Sequence, residues 1–158
     1  MRKILINDGI ETSGKVLLEA AGFSLDMNKI AQEDLVKKLN EYDVICVRSA
    51  TKVRKAEIDA SPNLKIIARG GVGLDNIDVA YAQEKGIKVI NTPAASSRSV
   101  AELAFAHIFS LARFLNHSNK IMHTKGGEMF NELKKAYAKG IELEGKTIGI
   151  VGLGRIGQ

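Results

Sequence analysis

The sequence has little that would place it outside the cell or in a membrane. It holds one cysteine, Cys46, so no internal disulfide can form. Its first seven residues turn polar at once, without the apolar stretch of a signal peptide, and no run approaches the roughly 20 apolar residues of a membrane span. These absences predict a cytoplasmic protein that does not associate with membranes.

Motifs for metal binding and for catalysis are also absent. The three histidines, His107, His117 and His123, have no metal-ligand spacing with acids or with Cys46, and nothing resembles HExxH. No pair of nucleophile and base, and no pair of carboxylates, can be assembled from the sequence. Cys46 lies within a predicted strand and is predicted to be buried and inert. We therefore expect no metal site and no catalytic group here.

The net charge of +5 is distributed in a way that argues against nucleic acid as a partner. Lysines are interspersed with acids, as in residues 33–38 and 132–135, which is typical of solvated helix faces. A small anionic ligand needs only a few cations in one cleft, so such a ligand stays compatible with the composition.

Five short apolar segments recur at starting intervals of 20, 21, 20 and 23 residues. The predicted strands are 3–7, 23–27, 44–47, 64–68 and 87–90. Each is separated from the next by a polar or amphipathic stretch long enough for a helix, with predicted helices at 12–21, around 35–39, at 52–60 and at 78–85. This repeat predicts an α/β fold with a flavodoxin-like, doubly wound parallel sheet.

The repeat stops at 91–93, where we place a domain boundary between residues 1–92 and 93–158. Ser99 and Glu102 form a capping-box pattern that opens a predicted helix over 99–116. That helix is apolar on nearly all sides, which favours packing between domains or across a subunit interface. The stretch 117–139 is predicted to be mostly helical, with a break at 126–127.

Ligands of open α/β sheets bind beyond the carboxyl ends of the strands. One such end carries Arg48, Ser49, Thr51 and Lys52, which suit a phosphate or a carboxylate. The alternative is that Thr51 caps the next helix while Lys52 is solvated. The next strand end is the glycine-rich loop 70–73, whose successive amides suit an anion, although a flexible turn is the alternative.

The last strand-like pattern, 147–151, leads into the glycines Gly152, Gly154 and Gly157, spaced as in a dinucleotide-binding fingerprint. These glycines allow a tight turn, close approach to a pyrophosphate, and close packing of strand on helix. The amides around Arg155 and Ile156 would face the phosphates. A purely structural glycine turn is the alternative. The acid expected about 20 residues later would lie beyond Gln158, so a 158-residue protein would have an unfinished nucleotide site.

Five segments in order along the whole chain resemble the D-isomer-specific 2-hydroxyacid dehydrogenases. They are 47–52, 68–78, 86–93, 99–103 and 143–157. The resemblance implies a substrate-binding domain over 1–92, the beginning of an incomplete Rossmann NAD-binding domain over 93–158, and a homodimer formed through the helix at 99–116. The implied reaction is hydride transfer between NAD and carbon 2 of a D-2-hydroxy acid, with 3-phosphoglycerate favoured.

The resemblance also implies roles for individual residues. Arg48, Ser49 and Asn91 would lie in the substrate cleft, and the backbone of Gly71, Val72 and Gly73 would hold the substrate carboxylate. Val72 would also lie beside the nicotinamide. The cofactor's pyrophosphate would be held by the fingerprint, namely Gly152, Gly154, Arg155, Ile156 and Gly157.

The catalytic arginine, glutamate and histidine of that family belong to the later part of its NAD domain, past Gln158. We therefore expect the 158 residues alone to be inactive as a dehydrogenase. Other readings stay open: a glyoxylate/hydroxypyruvate reductase, a D-lactate dehydrogenase, a non-catalytic NAD-sensing module, or a free-standing flavodoxin-like domain in 1–92. The sequence does not decide between NAD and NADP or show a regulatory domain.

Overall fold

A computed structural model of the protein describes residues 2–158. The chain divides into two compact units, the first ending at Ala95 and the second running over Ser96–Gln158.

The first unit is built on a five-stranded sheet in which all neighbouring strands are parallel. The strands are β1 (Lys3–Ile6), β2 (Ser24–Asp26), β3 (Val44–Val47), β4 (Ile66–Arg69) and β5 (Lys88–Asn91). Their order across the sheet is β2-β1-β3-β4-β5, the flavodoxin-like order. The predicted fold class and all five predicted strands are confirmed.

Four helices connect these strands. They are α1 (Thr12–Ala20), α2 (Gln32–Lys38), α3 (Lys55–Asp59) and α4 (Val79–Glu84), with a single 3-10 turn at Leu39–Glu41 after α2. The helix predicted over 52–60 is shorter than expected. Val53 instead forms an isolated parallel bridge with Ile77, donating its N–H to Asn76 and accepting from Asp78. The extended backbone of this bridge delays the start of α3 until Lys55.

The core of the first unit lies on both faces of the sheet. Leu5, Ile45 and Ile67, at the centres of β1, β3 and β4, are completely buried on one face. The alternate residues Ile4 and Ile6 are buried on the other face. Burial on both faces is what a parallel sheet requires, because its crossover helices cover the two sides.

The second unit contains two helices, α5 (Ser97–Ala112) and α6 (Leu115–Tyr137). The predicted capping box is wrong: Ser96 is the N-cap residue of α5, and the Ser99 hydroxyl donates to the Ser96 carbonyl oxygen at 3.0 Å. The helix also ends four residues before the predicted end, at Ala112. Phe114, between the two helices, has a left-handed backbone with φ of 56°, which ends the helical path there.

The predicted helix break at 126–127 is wrong, because α6 continues through both glycines. Glycine in a helix interior costs about 1 kcal/mol relative to alanine, which a long helix can tolerate. Gly126 is buried, and a Cβ there would lie 3.4 Å from the Met122 side chain. No helix among residues 2–158 combines the length and the apolarity needed to cross a membrane.

The strand predicted over 147–151 is also wrong. This segment has no regular secondary structure, and Ile148, Ile150 and Val151 are exposed. A strand is stabilised by hydrogen bonds to a neighbouring strand, and no segment of residues 2–158 pairs with this one. An apolar pattern with no pairing partner therefore remains irregular.

Candidate functional site

A cleft of about 210 Å³ opens at the carboxyl edge of the sheet in the first unit. It lies where residues following β1, β3, β4 and β5 meet, as expected for ligand sites of open α/β sheets. Its lining residues are Gly9, Ile10, Glu11, Cys46, Val47, Arg48, Ala68, Arg69, Gly70, Ile90, Asn91 and Thr92.

Two arginines from neighbouring strands lie in this cleft. Arg48 follows β3 directly, and Arg69 ends β4 in register with Val47. The Arg69 Nε–H donates to the Arg48 carbonyl oxygen at 3.3 Å, and its Nη1 lies 3.7 Å from a carboxylate oxygen of the exposed Asp75. The Arg48 side chain is exposed and makes no hydrogen bond or ion pair within residues 2–158. Arg48 therefore has a free guanidinium at the cleft.

The carboxylate of Asp8 holds one side of the loop that carries Arg48. One oxygen of Asp8 accepts the backbone N–H of Arg48 at 2.7 Å and that of Thr51 at 3.1 Å. The other oxygen accepts the Thr51 hydroxyl at 2.7 Å. In turn, the Asn7 side-chain amide donates to the Thr51 hydroxyl oxygen at 2.8 Å.

The side chain of Asn76 holds the other side of the same loop. Its amide nitrogen donates to the carbonyl oxygen of Arg48 at 2.9 Å and to that of Thr51 at 2.6 Å. Asn76 is buried, and its side-chain oxygen has no hydrogen-bond partner in the part of the chain that the structure describes. Both donor hydrogens of its amide are thus used to fix the loop 48–51.

Neither sequence-based interpretation of Thr51 is correct. Its side chain is buried and bonded to Asp8 and Asn7, so it is not available to a ligand. It does not cap α3 either, because the N-cap residue of that helix is Arg54. Lys52 is exposed, and Gln32 bonds to its backbone N–H and carbonyl group, each at 2.9 Å.

The surroundings of Asp8 favour its charged form. Partial burial by itself raises the pKa of this carboxyl, but the hydrogen bonds from the Thr51 side chain and from the Arg48 and Thr51 amides lower it. The positive charge of Lys29 lowers it further, and the net result is a pKa below the usual value for aspartate. Asp8 is therefore a stable acceptor for the loop at neutral pH.

The glycine-rich loop lies beside the end of β5. The Gly71 N–H donates to the Thr92 hydroxyl at 2.9 Å, and the Asn91 side-chain amide donates to the Val72 carbonyl oxygen at 2.7 Å. The N–H groups of Val72 and Gly73 have no acceptor among residues 2–158. These two amides are therefore free to bind an anion, whereas the Gly71 amide is already bonded.

A second depression of about 410 Å³ adjoins the first and shares Gly9 and Arg48 with it. Its lining residues are Asn7, Asp8, Gly9, Met27, Lys29, Arg48, Ser49 and Ala50. Ser49 belongs to this depression and Asn91 to the first, so only Arg48 of the predicted cleft residues faces both.

Cys46 lies in the wall of the first cleft and is only partly buried. Burial raises the pKa of its thiol to about 11, so the reactive thiolate is scarce at neutral pH. Among residues 2–158, no group of three or more potential ligands from His, Cys, Asp and Glu could hold a metal ion.

The backbone of the fingerprint in the second unit requires glycine at two of its three glycine positions. Gly152 has φ of +104°, which disfavours any side chain, and a Cβ on Gly157 would overlap the carbonyl oxygen of Gly152. A Cβ on Gly154 would instead meet open space. The Gln158 N–H donates to the Gly154 carbonyl oxygen at 3.1 Å, which is the first hydrogen bond of a helical turn. The turn is therefore formed although the preceding strand is not.

Residues 4–144 match the family model described as D-isomer specific 2-hydroxyacid dehydrogenase, catalytic domain. The match covers most of the chain and includes the whole cleft. The chain belongs to this family.

Relatives within the 2-hydroxyacid dehydrogenase family carry different names. A hydroxypyruvate reductase of Thermotoga maritima is 43% identical over 99% of this chain and 49% of its own length. A D-3-phosphoglycerate dehydrogenase of Methanocaldococcus jannaschii is 44% identical over the whole chain and 29% of its own length. The chain thus spans half or less of the length of these curated relatives, and their names do not agree on one substrate.

A solved structure of the family has the same fold. The cofactor (NAD⁺)-bound 3-phosphoglycerate dehydrogenase of Entamoeba histolytica is 30% identical, with a TM-score of 0.71 over 99% of this chain and 48% of that one.

The structure brings Arg48 and Asn91 to one cleft and places the loop of Gly71, Val72 and Gly73 next to Asn91. Ser49 does not line this cleft and lies instead in the second depression. No role is predicted from sequence for the cleft residue Arg69, although its place at the end of the strand beside Arg48 is a usable signal. The sequence predicts no role for Lys29 or for the supporting residues Asp8 and Asn76, because these roles depend on contacts between distant segments.

Proposed function

We propose that this chain forms the substrate-binding part, and the beginning of the NAD-binding part, of an NAD-dependent D-2-hydroxyacid dehydrogenase. Residues 1–92 would bind the hydroxy acid, and residues 93–158 would begin the nucleotide-binding domain. Bound NAD would accept the hydride from carbon 2 of the acid. The role of this chain is to bind and orient the acid and to hold the cofactor's pyrophosphate.

The observation that carries the proposal is a cleft that combines one free guanidinium, a second arginine and two nearby free amides. The Arg48 guanidinium has no partner among residues 2–158, and Arg69 lines the same cleft. The N–H groups of Val72 and Gly73 are likewise unbonded in that part of the chain. A 2-hydroxy acid with a second anionic group fits this arrangement, with its carboxylate at the amides and the second anion at Arg48.

Among such acids, we propose 3-phosphoglycerate as the substrate, oxidised to 3-phosphohydroxypyruvate. Support comes from the two arginines, which exceed what one carboxylate needs, and from the phosphoglycerate dehydrogenase of M. jannaschii at 44% identity. A hydroxypyruvate reductase is the second candidate, favoured by the T. maritima relative at 43% identity. The choice between them depends on whether Arg48 binds a phosphate.

Calorimetric titration of the chain with 3-phosphoglycerate and with D-glycerate tests this choice. We expect the phosphorylated acid to bind at least about tenfold more tightly, and Arg48→Ala to remove most of that preference, because a charge-assisted hydrogen bond contributes about 1.5–3 kcal/mol. Lys37→Ala, which removes an exposed cation from α2, is the control and should change neither affinity. Equal affinities for the two acids would contradict the phosphoglycerate proposal and support the reductase.

The fingerprint glycines fit an NAD pyrophosphate. The backbone turn is formed, the space where a Gly154 Cβ would lie is open, and the N–H groups of Arg155 and Ile156 have no acceptor within residues 2–158. We propose that Gly152, Gly154, Arg155, Ile156 and Gly157 hold the pyrophosphate and that Val72 lies beside the nicotinamide.

NMR titration with ADP-ribose checks this placement. We expect the amide signals of Arg155 and Ile156 to shift, and Gly154→Ala to prevent the shift without disturbing the fold, because the added methyl group meets no protein atom within 4 Å. Gly127→Ala, which also adds a methyl group in open space, is the matched control. Unchanged shifts in Gly154→Ala would contradict the role of the fingerprint.

We also propose a cytoplasmic homodimer that forms through α5 and the residues that follow it, the region predicted as the dimer helix at 99–116. Leu103, Phe105 and Phe109 of α5 are more than half exposed, and Leu111 is 78% exposed. So large an apolar surface on one helix supports an interface. Sedimentation should show a dimer that Leu103→Asp converts to monomer, while Leu17→Asp on α1, also at an exposed leucine, leaves it intact.

Turnover is not expected from this chain alone, since it supplies binding groups and no general acid or base that sequence analysis could identify. Oxidation of NADH with 3-phosphohydroxypyruvate by a verified 158-residue preparation would contradict that expectation.

A further inference from the structure

Arg48 combines a fixed backbone with a free side chain. Its N–H is bonded to Asp8 and its carbonyl oxygen to Asn76 and Arg69, whereas its guanidinium has no partner among residues 2–158. A long flexible side chain loses rotamer entropy when it binds a ligand, and a fixed attachment point limits that loss. The hydrogen bonds therefore prepare Arg48 for a ligand.

The presence of Asp8 at an anion site is unexpected on charge alone. A carboxylate that lines the same depression as Arg48 and Lys29 should repel an anionic ligand. However, its two oxygens accept three hydrogen bonds from Arg48 and Thr51, all at 3.1 Å or less. The charge of Asp8 therefore has two opposed effects, because it stabilises the loop and repels an anionic ligand.

Thr51 links the two sides of the loop. Its N–H and hydroxyl donate to Asp8, while its carbonyl oxygen accepts from Asn76 at 2.6 Å. Arg48 has the same arrangement, with its N–H on Asp8 and its carbonyl on Asn76. Between these two anchored residues, Ser49 and Ala50 are exposed. We call Asp8, Thr51 and Asn76 the loop clamp.

Resting on the proposed function, we propose that the loop clamp positions Arg48 for the anionic group of the substrate, so that the Asp8 carboxylate strengthens anion binding despite its charge. Asp8, Thr51 and Asn76 act through the backbone of the loop and do not touch the substrate. They are positioning residues.

The sign of the effect of Asp8→Asn on affinity tests this inference. Removing a negative charge near an anion site should tighten binding if electrostatics alone matters. If the clamp matters more, binding should weaken, because asparagine has one acceptor oxygen and presents an N–H₂ group to donors of the loop. We expect the dissociation constant of the chain for 3-phosphoglycerate to rise about tenfold. Asp34→Asn, which removes a half-exposed carboxylate from α2, is the charge-matched control and should leave the dissociation constant unchanged.

A pair of substitutions at Thr51 separates positioning from general loss of structure. Thr51→Val keeps the shape but removes the hydroxyl that bonds to Asp8, whereas Thr51→Ser keeps the hydroxyl. We expect Thr51→Val to weaken binding of 3-phosphoglycerate as Asp8→Asn does, and Thr51→Ser to retain most of the affinity. Equal losses in both variants would overturn the role of the hydroxyl.

Hydrogen exchange of the Arg48 and Thr51 amides reports on the clamp without any ligand. In Asp8→Asn both amides should exchange faster, while the amides of β1 and β4 keep their rates. Unchanged exchange, or tighter binding of 3-phosphoglycerate by Asp8→Asn, would overturn the inference. Absence of binding by the unaltered chain would overturn the proposed substrate and the clamp's role in binding it, and the exchange rates would show whether the clamp itself exists.

Discussion

The two units differ in whether their apolar, strand-like segments find hydrogen-bonding partners. In the first unit, β1, β3 and β4 each lie between two parallel neighbours, and Leu5, Ile45 and Ile67 are fully buried. In the second unit, the segment 147–151 has an equally apolar sequence but no pairing strand within residues 2–158, and Ile148 is 56% exposed. Apolar patterning therefore produces a strand only where other segments complete the sheet.

The cleft and the fingerprint show the same contrast at the level of sites. The loop 48–51 is fixed by side chains from two other segments, around Asp8 and Asn76. The fingerprint turn is fixed locally, by the backbone of Gly152 and by the contact between Gly152 and Gly157. A turn that depends on its own glycines can form without its sheet, whereas the Arg48 loop needs the surrounding fold.

The largest expected effect compares isoleucines from the two units. Ile45→Ala removes a side chain with no exposure and should lower the free energy of unfolding by about 2–5 kcal/mol, from lost burial and the cavity left behind. Ile148→Ala removes the same atoms from an exposed position and should change it by less than about 0.5 kcal/mol. Urea denaturation followed by circular dichroism measures both. Comparable losses would mean that 147–151 is packed in solution.

A smaller effect concerns the reactivity of Cys46 in the first unit, compared with that of a cysteine introduced into the second unit. Burial raises the pKa of Cys46 to about 11, against an ordinary value near 9.0. At neutral pH its thiolate fraction should therefore be roughly a hundredfold lower than that of an exposed cysteine. In the Val151→Cys variant, whose new thiol takes the place of a fully exposed side chain, iodoacetamide should modify that position first.

Mass spectrometry of the two cysteine-containing peptides provides both rates in one sample. Equal rates would show that the wall of the cleft opens readily around Cys46. Modification of Cys46 in the unaltered chain at the rate of free cysteine would contradict its predicted inertness.

Much of the first unit could be predicted from sequence because its signals are local. Five apolar segments at regular spacing indicate parallel strands, and all five form within a few residues of their predicted bounds. The predictions are wrong where contacts with residues distant in sequence determine the local structure. The start of α3 is delayed by a bridge to Ile77, and the strand predicted at 147–151 does not form because it lacks a partner. Periodicity describes which side chains can be buried, but it does not supply the neighbour that buries them.

Only the residues of the candidate site that lie at strand ends could be predicted from sequence. Arg48 follows β3 directly and Asn91 is the last residue of β5, so the topology of an α/β sheet is enough to bring them to one edge. Asp8 contacts Thr51 across 43 positions, and Asn76 contacts Arg48 across 28. No local pattern encodes such pairs, because aspartate and asparagine are common in turns for other reasons. The sequence around Thr51 therefore predicts a ligand contact or a helix cap and gives no sign of the clamp.

The smallest expected effect concerns the pH dependence of the first unit's stability. Folding lowers the pKa of Asp8, so its contribution to stability is complete above the ordinary pKa of aspartate and is lost as the pH falls through the lower folded-state value. Protonation would weaken the bonds to Arg48 and Thr51 and remove the attraction of Lys29. Between about pH 6 and about pH 3, urea midpoints of the unaltered chain should therefore approach those of Asp8→Asn, which cannot titrate there, while Asp34→Asn serves as the control. A constant difference between the unaltered chain and Asp8→Asn over this range would show that the Asp8 charge adds nothing to the clamp beyond its shape.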